Sequence, residues 1–424
     1  MKIVIIGGGF AGVNLANGLA GNRHIEVLLV DKNNYHLFPP LLYQVATSFI
    51  EASNISYPFR KMLQHKKNVR YYQGTLQEIQ TDKQLVLTTH GVISYDVLVL
   101  AMGTETNYFG SESLKKNSMP MKTVNDAHNL RNHMLINMER AARENSEVQR
   151  TKLMNLVIAG GGPTGVELAG MIAEMGRHIL KKDYPELETV AGNIYLVSPG
   201  KALLGGMSVK ARTEAYEQLS RLGVQVKFGV AVKEYQDEQV FLDNGEIIEC
   251  STLIWAAGVV ACAVPGLEPG LFGHGRRILV DEYNKVKDIN NVYAIGDICL
   301  NTTDPAYPDG HPQLAQVAIQ QGNLLAKNLA GSIVNNKMQP FAYFNKGSMA
   351  IISKYKAVVD LPKVSFTGYF AWVTWLFIHI LPLAGFRNKL KLFFNWTWSF
   401  LTNDPNLRLI FKAESRTVSK TDDL

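Results

Sequence analysis

One local pattern occurs twice in this chain and limits what the chain can fold into. KIVIIGGGFAG sets a β-branched apolar run, Lys2 to Ile6, directly before Gly7-x-Gly9-x-x-Gly12, and MNLVIAGGGPTG repeats the plan with Gly160-x-Gly162-x-x-Gly165. A short apolar run that ends in glycines reads as a buried parallel strand turning tightly into a helix. The first glycine makes the turn, the second lets backbone N–H groups approach a pyrophosphate, and the third lets helix and strand pack closely. In the first copy the next strand, EVLLVD, ends on Asp31, about twenty residues on, where a carboxylate accepts ribose hydroxyls.

The two copies also close alike, on YDVLVLAMGT (Tyr95 to Thr104) and STLIWAAGVV (Ser251 to Val260), each after a run of short alternating strands. From Gly7 to Gly103 is 96 residues and from Gly160 to Gly258 is 98, so a dinucleotide-binding domain is duplicated within the chain. Two such domains imply two dinucleotides. One held permanently and one exchanged suggests a flavin and a nicotinamide, between which hydride passes readily. A further strand, YAIGDI, ends at Gly296-Asp297 beyond the second copy, where a carboxylate meets a ribityl or phosphate-linked hydroxyl. The expected fold is therefore α/β: two Rossmann-like dinucleotide-binding domains, the second inserted in the first, plus a C-terminal membrane-associating region. The expected FAD-binding domain spans residues 1–122 and 289–336, the NAD(P)H-binding domain 123–288, and the C-terminal region 337–424.

The chain has 424 residues, too many for one ordinary core, and its 46% apolar and 19% charged residues are a globular balance. A net charge of +6 is modest for this length, and no nucleic-acid partner is expected. Cys250, Cys262 and Cys299 form no CxxC pair, which argues against a disulfide scaffold, a zinc site or a dithiol centre and for a reduced, cytoplasmic-facing compartment. The ten histidines make no HxxxH or HxH pair, so no metal is expected. MKIVIIGGGF reads as a strand, not a signal peptide.

From Val364 to Phe386 there is no formally charged residue, and TGYFAWVTWLFIHILPLAGF is dense in aromatics. The part free of Gly and Pro, Tyr369 to Leu381, would rise only ~20 Å as helix against a hydrocarbon core of ~30 Å. In RNKLKLFFNWTWSFL, Arg387, Lys391, Asn395 and Ser399 form one helical face and Leu390, Phe393, Phe394 and Leu401 another, with Trp396 and Trp398 toward the flanks. A basic face, an apolar face and seam tryptophans describe a helix lying in a lipid interface, an anchor over about 367–402. The same pattern also suits a helix covering a core or a dimer contact. The final ESRTVSKTDDL reads as disordered.

The order GGGFAG, AMGT, GGGPTGVE, AAGV, AIGD resembles the two-dinucleotide-binding flavoprotein reductases. Within them NNYHLFPPLLYQVAT (Asn33 to Thr47), AQVAIQQG and the aromatic tail resemble type II NADH:quinone oxidoreductases, the non-pumping alternative NADH dehydrogenases of respiratory chains, over Lys2 to about Lys412. The resemblance implies hydride transfer from NADH to FAD and then two electrons to a membrane quinone. It also implies a peripheral homodimer on the cytoplasmic face of the inner or plasma membrane. FAD would meet Gly7, Gly9, Gly12, Asp31, Ala101, Gly103, Gly296 and Asp297. NAD(P)H would meet Gly160, Gly162, Gly165, Glu167, Ser198, Lys201, Ala257 and Gly258.

The helix at Ala315 would line the quinone pocket with Ala315, Gln316, Ala318, Ile319 and Gln320, and Gln44 and its neighbours would form a weaker second wall, simple core packing being the other reading of that segment. A flat apolar ring with two carbonyl acceptors calls for smooth aliphatic surface and neutral donors, and Gln316 and Gln320 lie four apart on one helical face. Alone, the segment reads first as a partly buried capping turn, and the resemblance reverses that order. Glu167, Gln316 and Gln320 are the expected catalytic groups, Glu167 to orient the dinucleotide or relay protons, although a carboxylate near a helix amino end is also favourable in itself. Ser198 stands where NADH-using members usually carry an acid, with Lys201 nearby, which leaves NADPH use open. Lys201 also reads as a solvated loop lysine. Two alternatives remain: a nicotinamide-sensing flavoprotein with a signalling or partner-binding role, and a sulfide:quinone oxidoreductase-like enzyme, whose chemistry needs a cysteine pair.

Overall fold

The computed structural model describes residues 1–187, 192–332, 338–402 and 409–410, with the side chains of 178–181 and 399–402 left undescribed. The carboxyl-terminal segment and the expected face positions Ser399 and Leu401 lie outside the described side chains.

Strand β1 (Lys2–Ile6), helix α1 (Phe10–Leu19) and strand β2 (Glu26–Asp31) open the chain as the glycine pattern requires. Ile3, Val4 and Ile5 are wholly buried, which a parallel strand covered on both faces demands. A short helix α2 (Leu42–Ala46) follows, then β3 (Val69–Gln73) and β4 (Val97–Leu100), with a three-stranded meander between these last two.

Strand β5 (Thr104–Thr106) leaves the first unit, and β6 (Met119–Pro120), helix α3 (Val124–Arg143), β7 (Leu156–Ala159), helix α4 (Pro163–Asp183), β8 (Ile194–Ser198), β9 (Val224–Phe228) and β10 (Thr252–Trp255) build the second. Strand β11 (Val259–Ala261) then runs back antiparallel to β5, pairing Thr104 with Ala261. The chain re-enters the first sheet as β12 (Val292–Ala294), parallel to β4.

The two five-stranded sheets repeat one order. The first runs β12-β4-β1-β2-β3 and the second β6-β10-β7-β8-β9, all parallel. The duplication extends to single bonds: Gly7 N–H donates to Val30 O at 2.7 Å and Gly160 N–H to Val197 O at 2.8 Å. Strand β6 lies in the second sheet although it precedes residue 123, and Val264, Ile278 and Val286 pack in the core of the first unit with Val4 and Ile6. On this packing we propose that the second unit is bounded by β5 and β11, starting earlier and ending earlier than 123–288.

Helix α5 (Ala315–Ser332) packs along α1, and a Cβ on Gly322 would overlap the Ala11 carbonyl oxygen. The chain then forms an antiparallel meander, β13 (Ser348–Ser353), β14 (Lys356–Leu361) and β15 (Val364–Gly368). This meander lies so close on α4 that a Cβ on Gly170 would overlap the Ile352 carbonyl oxygen. Helices α6 (Tyr369–Ile380) and α7 (Phe386–Thr402) finish the described chain.

Among the described residues no helix is long and apolar enough to cross a membrane. Helix α6 buries Ala371, Trp372 and Trp375 and exposes Phe370, Phe377 and Ile378. Helix α7 exposes Phe386, Leu390, Phe393, Phe394 and Trp398 together with Arg387 and Lys391. One expectation needs correction here: Trp396 does not sit at the flank of that helix but is buried with Asn388 and Leu392 on a third face. The spacing of four residues between these three puts them on one stripe, and the indole N–H finds a buried acceptor on α2.

Candidate functional site

The two glycine turns have matching geometry. Gly7 has φ +107° and Gly160 φ +121°, and a Cβ on either would overlap a carbonyl oxygen of the closing strand's end, that of Ala101 or of Ala256. No L side chain suits both the dihedral and the contact. The Cβ positions of Gly9 and Gly162 face open space instead, and α1 begins at Gly9 with no side-chain cap. Its first-turn N–H groups are therefore left to an outside acceptor, as a pyrophosphate cradle needs. Gly12 and Gly165 each pack directly under the carbonyl of the first glycine of their motif.

Asp31 receives Gly8 N–H at 2.6 Å and Asn33 N–H at 2.7 Å. Burial nonetheless raises its carboxyl above the usual range, the two backbone bonds pulling the other way. The ring of His36 meets the Gly8 carbonyl through Nδ1 at 2.9 Å, and burial lowers its basicity. Ser198, the last residue of β8, accepts Gly200 N–H at 3.3 Å. Lys201 is exposed.

The β5–β11 ribbon joins the exits of the two units. Gly103 O accepts Cys262 N–H and Gly258 O accepts Asn107 N–H, both at 3.1 Å, so Ala101 and Gly103 are tied to Ala257 and Gly258 through one ladder. Gly296, at φ +77°, gives its N–H to Gln321 Oε1 at 2.6 Å. Burial raises the Asp297 carboxyl, opposed by the charges of Lys122 and Arg277. Lys122 is itself desolvated, which lowers its ammonium, and it donates to Thr104 Oγ1 at 2.6 Å.

Lys122 and Gln321, which the sequence reading missed, lie against Asp297 and Gly296 of this candidate site. Nothing in MPMKT announces a buried lysine, though Thr123 and Asp126 form the capping box that ends this loop. Gln321 directly follows Gln320 and could have been suspected from the helix period, since it shares the inner face with Gly322 and Leu325, all buried.

The amides of Gln316 and Gln320 are both in use. Gln316 donates to Gly347 O and accepts from Lys346 N–H, each at 3.0 Å. Gln320 donates to Phe344 O at 2.9 Å and accepts from Phe344 N–H at 3.0 Å. Together they clamp the strap of residues 344–347 that leads into β13, and one N–H of each amide remains. Ala318 is buried under Gly296, while Ala315 and Ile319 stay partly open.

Glu167, on the first turns of α4, is 8% exposed and accepts Ile351 N–H from β13 at 3.4 Å. Desolvation pushes its carboxyl well above the ordinary range, the Ile351 bond pulling the other way. Tyr43, a residue not singled out from the sequence, stands beside Gln44 on α2, and the Glu167 charge acts on its phenol. The strap thus leads into the strand that bonds the acid, while phenol and Gln44 are bonded to each other on α2, which packs on α4. No group of three or more His, Cys, Asp or Glu side chains that would hold a metal ion occurs among the described residues.

Residues 1–322 match the family model for pyridine nucleotide-disulphide oxidoreductases, and residues 345–403 match that of the NDH2 C-terminal domain. The chain is 33% identical over 419 residues to the type II NADH:quinone oxidoreductase NdhA of Mycobacterium tuberculosis, covering 94% of this chain and 87% of that protein. It is 28% identical over 431 residues to an internal alternative NAD(P)H-ubiquinone oxidoreductase A1 of Solanum tuberosum mitochondria, covering 93% and 85%. Among solved structures, NDH2 from Plasmodium falciparum in complex with NADH superposes with a TM-score of 0.88 at 21% identity, over 97% of this chain and 99% of that one. The sulfide:quinone oxidoreductase of Aquifex aeolicus shares the fold at a TM-score of 0.71 and 18% identity, over 94% and 91%.

Proposed function

The chain belongs to the type II NADH:quinone oxidoreductase family, and from that premise we propose how its own residues carry out the two half-reactions. It is an FAD-dependent oxidoreductase that takes electrons from NADH and delivers them to quinone. FAD supplies the chemistry, accepting a hydride and releasing two electrons; the protein binds, orients and manages protons.

The open cradle at Gly9, the uncapped start of α1, and the Asp31 and Asp297 carboxyls fit a flavin dinucleotide. Lys122 balances Asp297 in a desolvated place and would meet the same cofactor. The matching cradle at Gly162 fits the nicotinamide dinucleotide, with Ser198 toward its ribose, and this supports acceptance of NADPH beside NADH. Because the β5–β11 ribbon ties the two exits, the bound dinucleotides would be held facing one another without a domain closure.

The observation that carries the quinone reading is the run of Gln316 and Gln320, the strap and Glu167, with Tyr43 and Gln44 on the helix packed against it. It offers apolar surface from Ala318, Ile319 and Ala315, neutral donors, and one carboxyl whose hold on a proton burial strengthens. Glu167 would deliver or orient a proton at a quinone oxygen. The exposed aromatic faces of α6 and α7, flanked by Arg387 and Lys391, support peripheral attachment to a membrane, and by analogy with the family we propose the cytoplasmic face and a homodimer. A sulfide chemistry is disfavoured: all three cysteines are unpaired, and burial pushes the Cys299 thiol up to about 11.

Anaerobic titration of the purified holoprotein with NADH or NADPH, followed by a soluble quinone, tests this reading. Bleaching of the flavin band with rapid recovery on quinone addition is expected. Bleaching without recovery would leave a nicotinamide-binding flavoprotein with another acceptor or a sensing role.

A further inference from the structure

A line of buried polar side chains runs from the carboxyl-terminal helix to Glu167. The Trp396 indole N–H donates to Gln44 Oε1 at 2.7 Å, and Gln44 Nε2–H donates to the Tyr43 hydroxyl oxygen at 3.1 Å. Trp396, Gln44 and Tyr43 are each 2% exposed, so none of these bonds exchanges freely with water.

The direction of the line follows from donor chemistry. An indole has an N–H and no acceptor, so it holds the oxygen end of the Gln44 amide toward itself. The amide nitrogen must then face Tyr43, and the tyrosine oxygen must accept. A phenol that already accepts in this way has its own O–H left to give. Among the described residues no hydrogen bond joins that O–H to Glu167, yet the two groups lie close enough for the acid's charge to act on the phenol. Helix α2 packs on α4, so the two groups stand on neighbouring helices. A buried donor with no acceptor costs free energy until a ligand supplies one.

Resting on the quinone-reductase reading, we propose that Tyr43 is the hydroxyl donor to a quinone carbonyl oxygen, and that Trp396 is a positioning residue which, through Gln44, sets where that O–H points. The hydroxyl gives a hydrogen bond and keeps its proton, so the electron and proton balance of the reduction is unchanged. A side chain of the lipid-facing helix thereby determines a polar contact inside the pocket.

Calorimetric binding of a short-chain benzoquinone to the oxidised full-length holoprotein tests the proposal. Tyr43→Phe should weaken binding about ten-fold, the worth of one hydrogen bond to a buried acceptor. Trp396→Phe keeps an aromatic ring and frees the Gln44 amide to turn over; it should weaken binding about three-fold alone and not at all further in the Tyr43→Phe background. Flavin content and bleaching by NADH report that each variant is folded. Wild-type affinity in Tyr43→Phe, or an additive Trp396→Phe effect in the double variant, would overturn the proposal. Failure of the wild-type protein to bind benzoquinone or to be reoxidised by it would instead remove the quinone reading, and this inference with it.

Discussion

Ser198 occupies in the second dinucleotide unit the place that Asp31 occupies in the first. Each closes the second strand of its sheet, and each accepts the N–H two residues on, Gly200 to Ser198 at 3.3 Å and Asn33 to Asp31 at 2.7 Å. Each also abuts the glycine between the first two of its motif: Gly8 N–H donates to Asp31, and a Cβ on Gly161 would lie 2.6 Å from Ser198 Oγ. A carboxylate here accepts a ribose 2′-hydroxyl and repels a 2′-phosphate, whereas a serine leaves both nucleotides admissible.

Ser198→Asp should therefore shift the ratio of kcat/KM for NADH over NADPH upward by about ten-fold or more, the size of one charge interaction of ~1.4 kcal/mol. Bleaching rates with each nucleotide measure it. An unchanged ratio would mean that the ribose is read elsewhere.

Gln320→Ala removes both bonds to Phe344, each worth about 1 kcal/mol. Amide hydrogen exchange at Phe344 should accelerate, and quinone-dependent recovery of the flavin band should slow more than bleaching by NADH does. Equal slowing of the two half-reactions would sink the assignment of this helix to the quinone side.

Gly170→Ala forces β13 off α4, because its methyl would overlap the Ile352 carbonyl oxygen. Overpacking of this kind costs about 1–3 kcal/mol, and the bond from Ile351 N–H to Glu167 lies one residue away. A lowered Tm is expected, while Gly205→Ala, whose methyl meets only open space, should leave Tm unchanged.

Glu174 lies two turns beyond Glu167 on α4 and accepts Lys354 N–H at 2.8 Å. Burial raises its carboxyl to about 7. The folded state thus binds this proton more tightly than the unfolded state, so its favourable contribution is complete below the unfolded value near 4.5 and is lost as pH rises through 7. Relative to wild type, Glu174→Gln should gain up to about 3 kcal/mol of stability between pH 4.5 and 8. Denaturant unfolding at the two pH values checks the sign.

Phe377 and Phe394, 67% and 65% exposed, present rings from both terminal helices. Burying such a ring in lipid stabilises by about 1.5–3 kcal/mol, so replacing both by Ser should cut co-sedimentation with liposomes at least ten-fold. Undiminished co-sedimentation would remove the aromatic faces as the anchor.

The two Rossmann units were legible because glycine turns and wholly apolar strands have few other uses, and the repeat of Gly7 to Gly103 in Gly160 to Gly258 confirmed the reading internally. Strand β6 was not legible, since Met119–Pro120 pairs with β10 without a pattern of its own. The candidate site was legible where backbone conformation dictates residue type, as at Gly296, and where the first turns of an otherwise apolar helix start carry one acid, as at Glu167. It was not legible where a side chain answers a partner far along the chain. Lys122 reaches Thr104, Gln321 holds Gly296, and Trp396 meets Gln44 352 positions away. Amphipathic period alone assigned Trp396 to a lipid seam because it carries no record of such a partner.

Helix α7 does not hang from the body on a tether. Asn388 donates to Ser56 O at 3.1 Å, Asn395 to Asn54 at 3.4 Å, and Trp396 to Gln44, so the helix is bolted at two turns to the unit that begins with β1. On a bilayer the whole body would stand at one inclination, with the wall of Tyr43 and Glu167 at a set height above the acyl chains. Encounter with quinone then becomes a planar search by lateral drift, in which the enzyme never has to tumble into register before its substrate arrives.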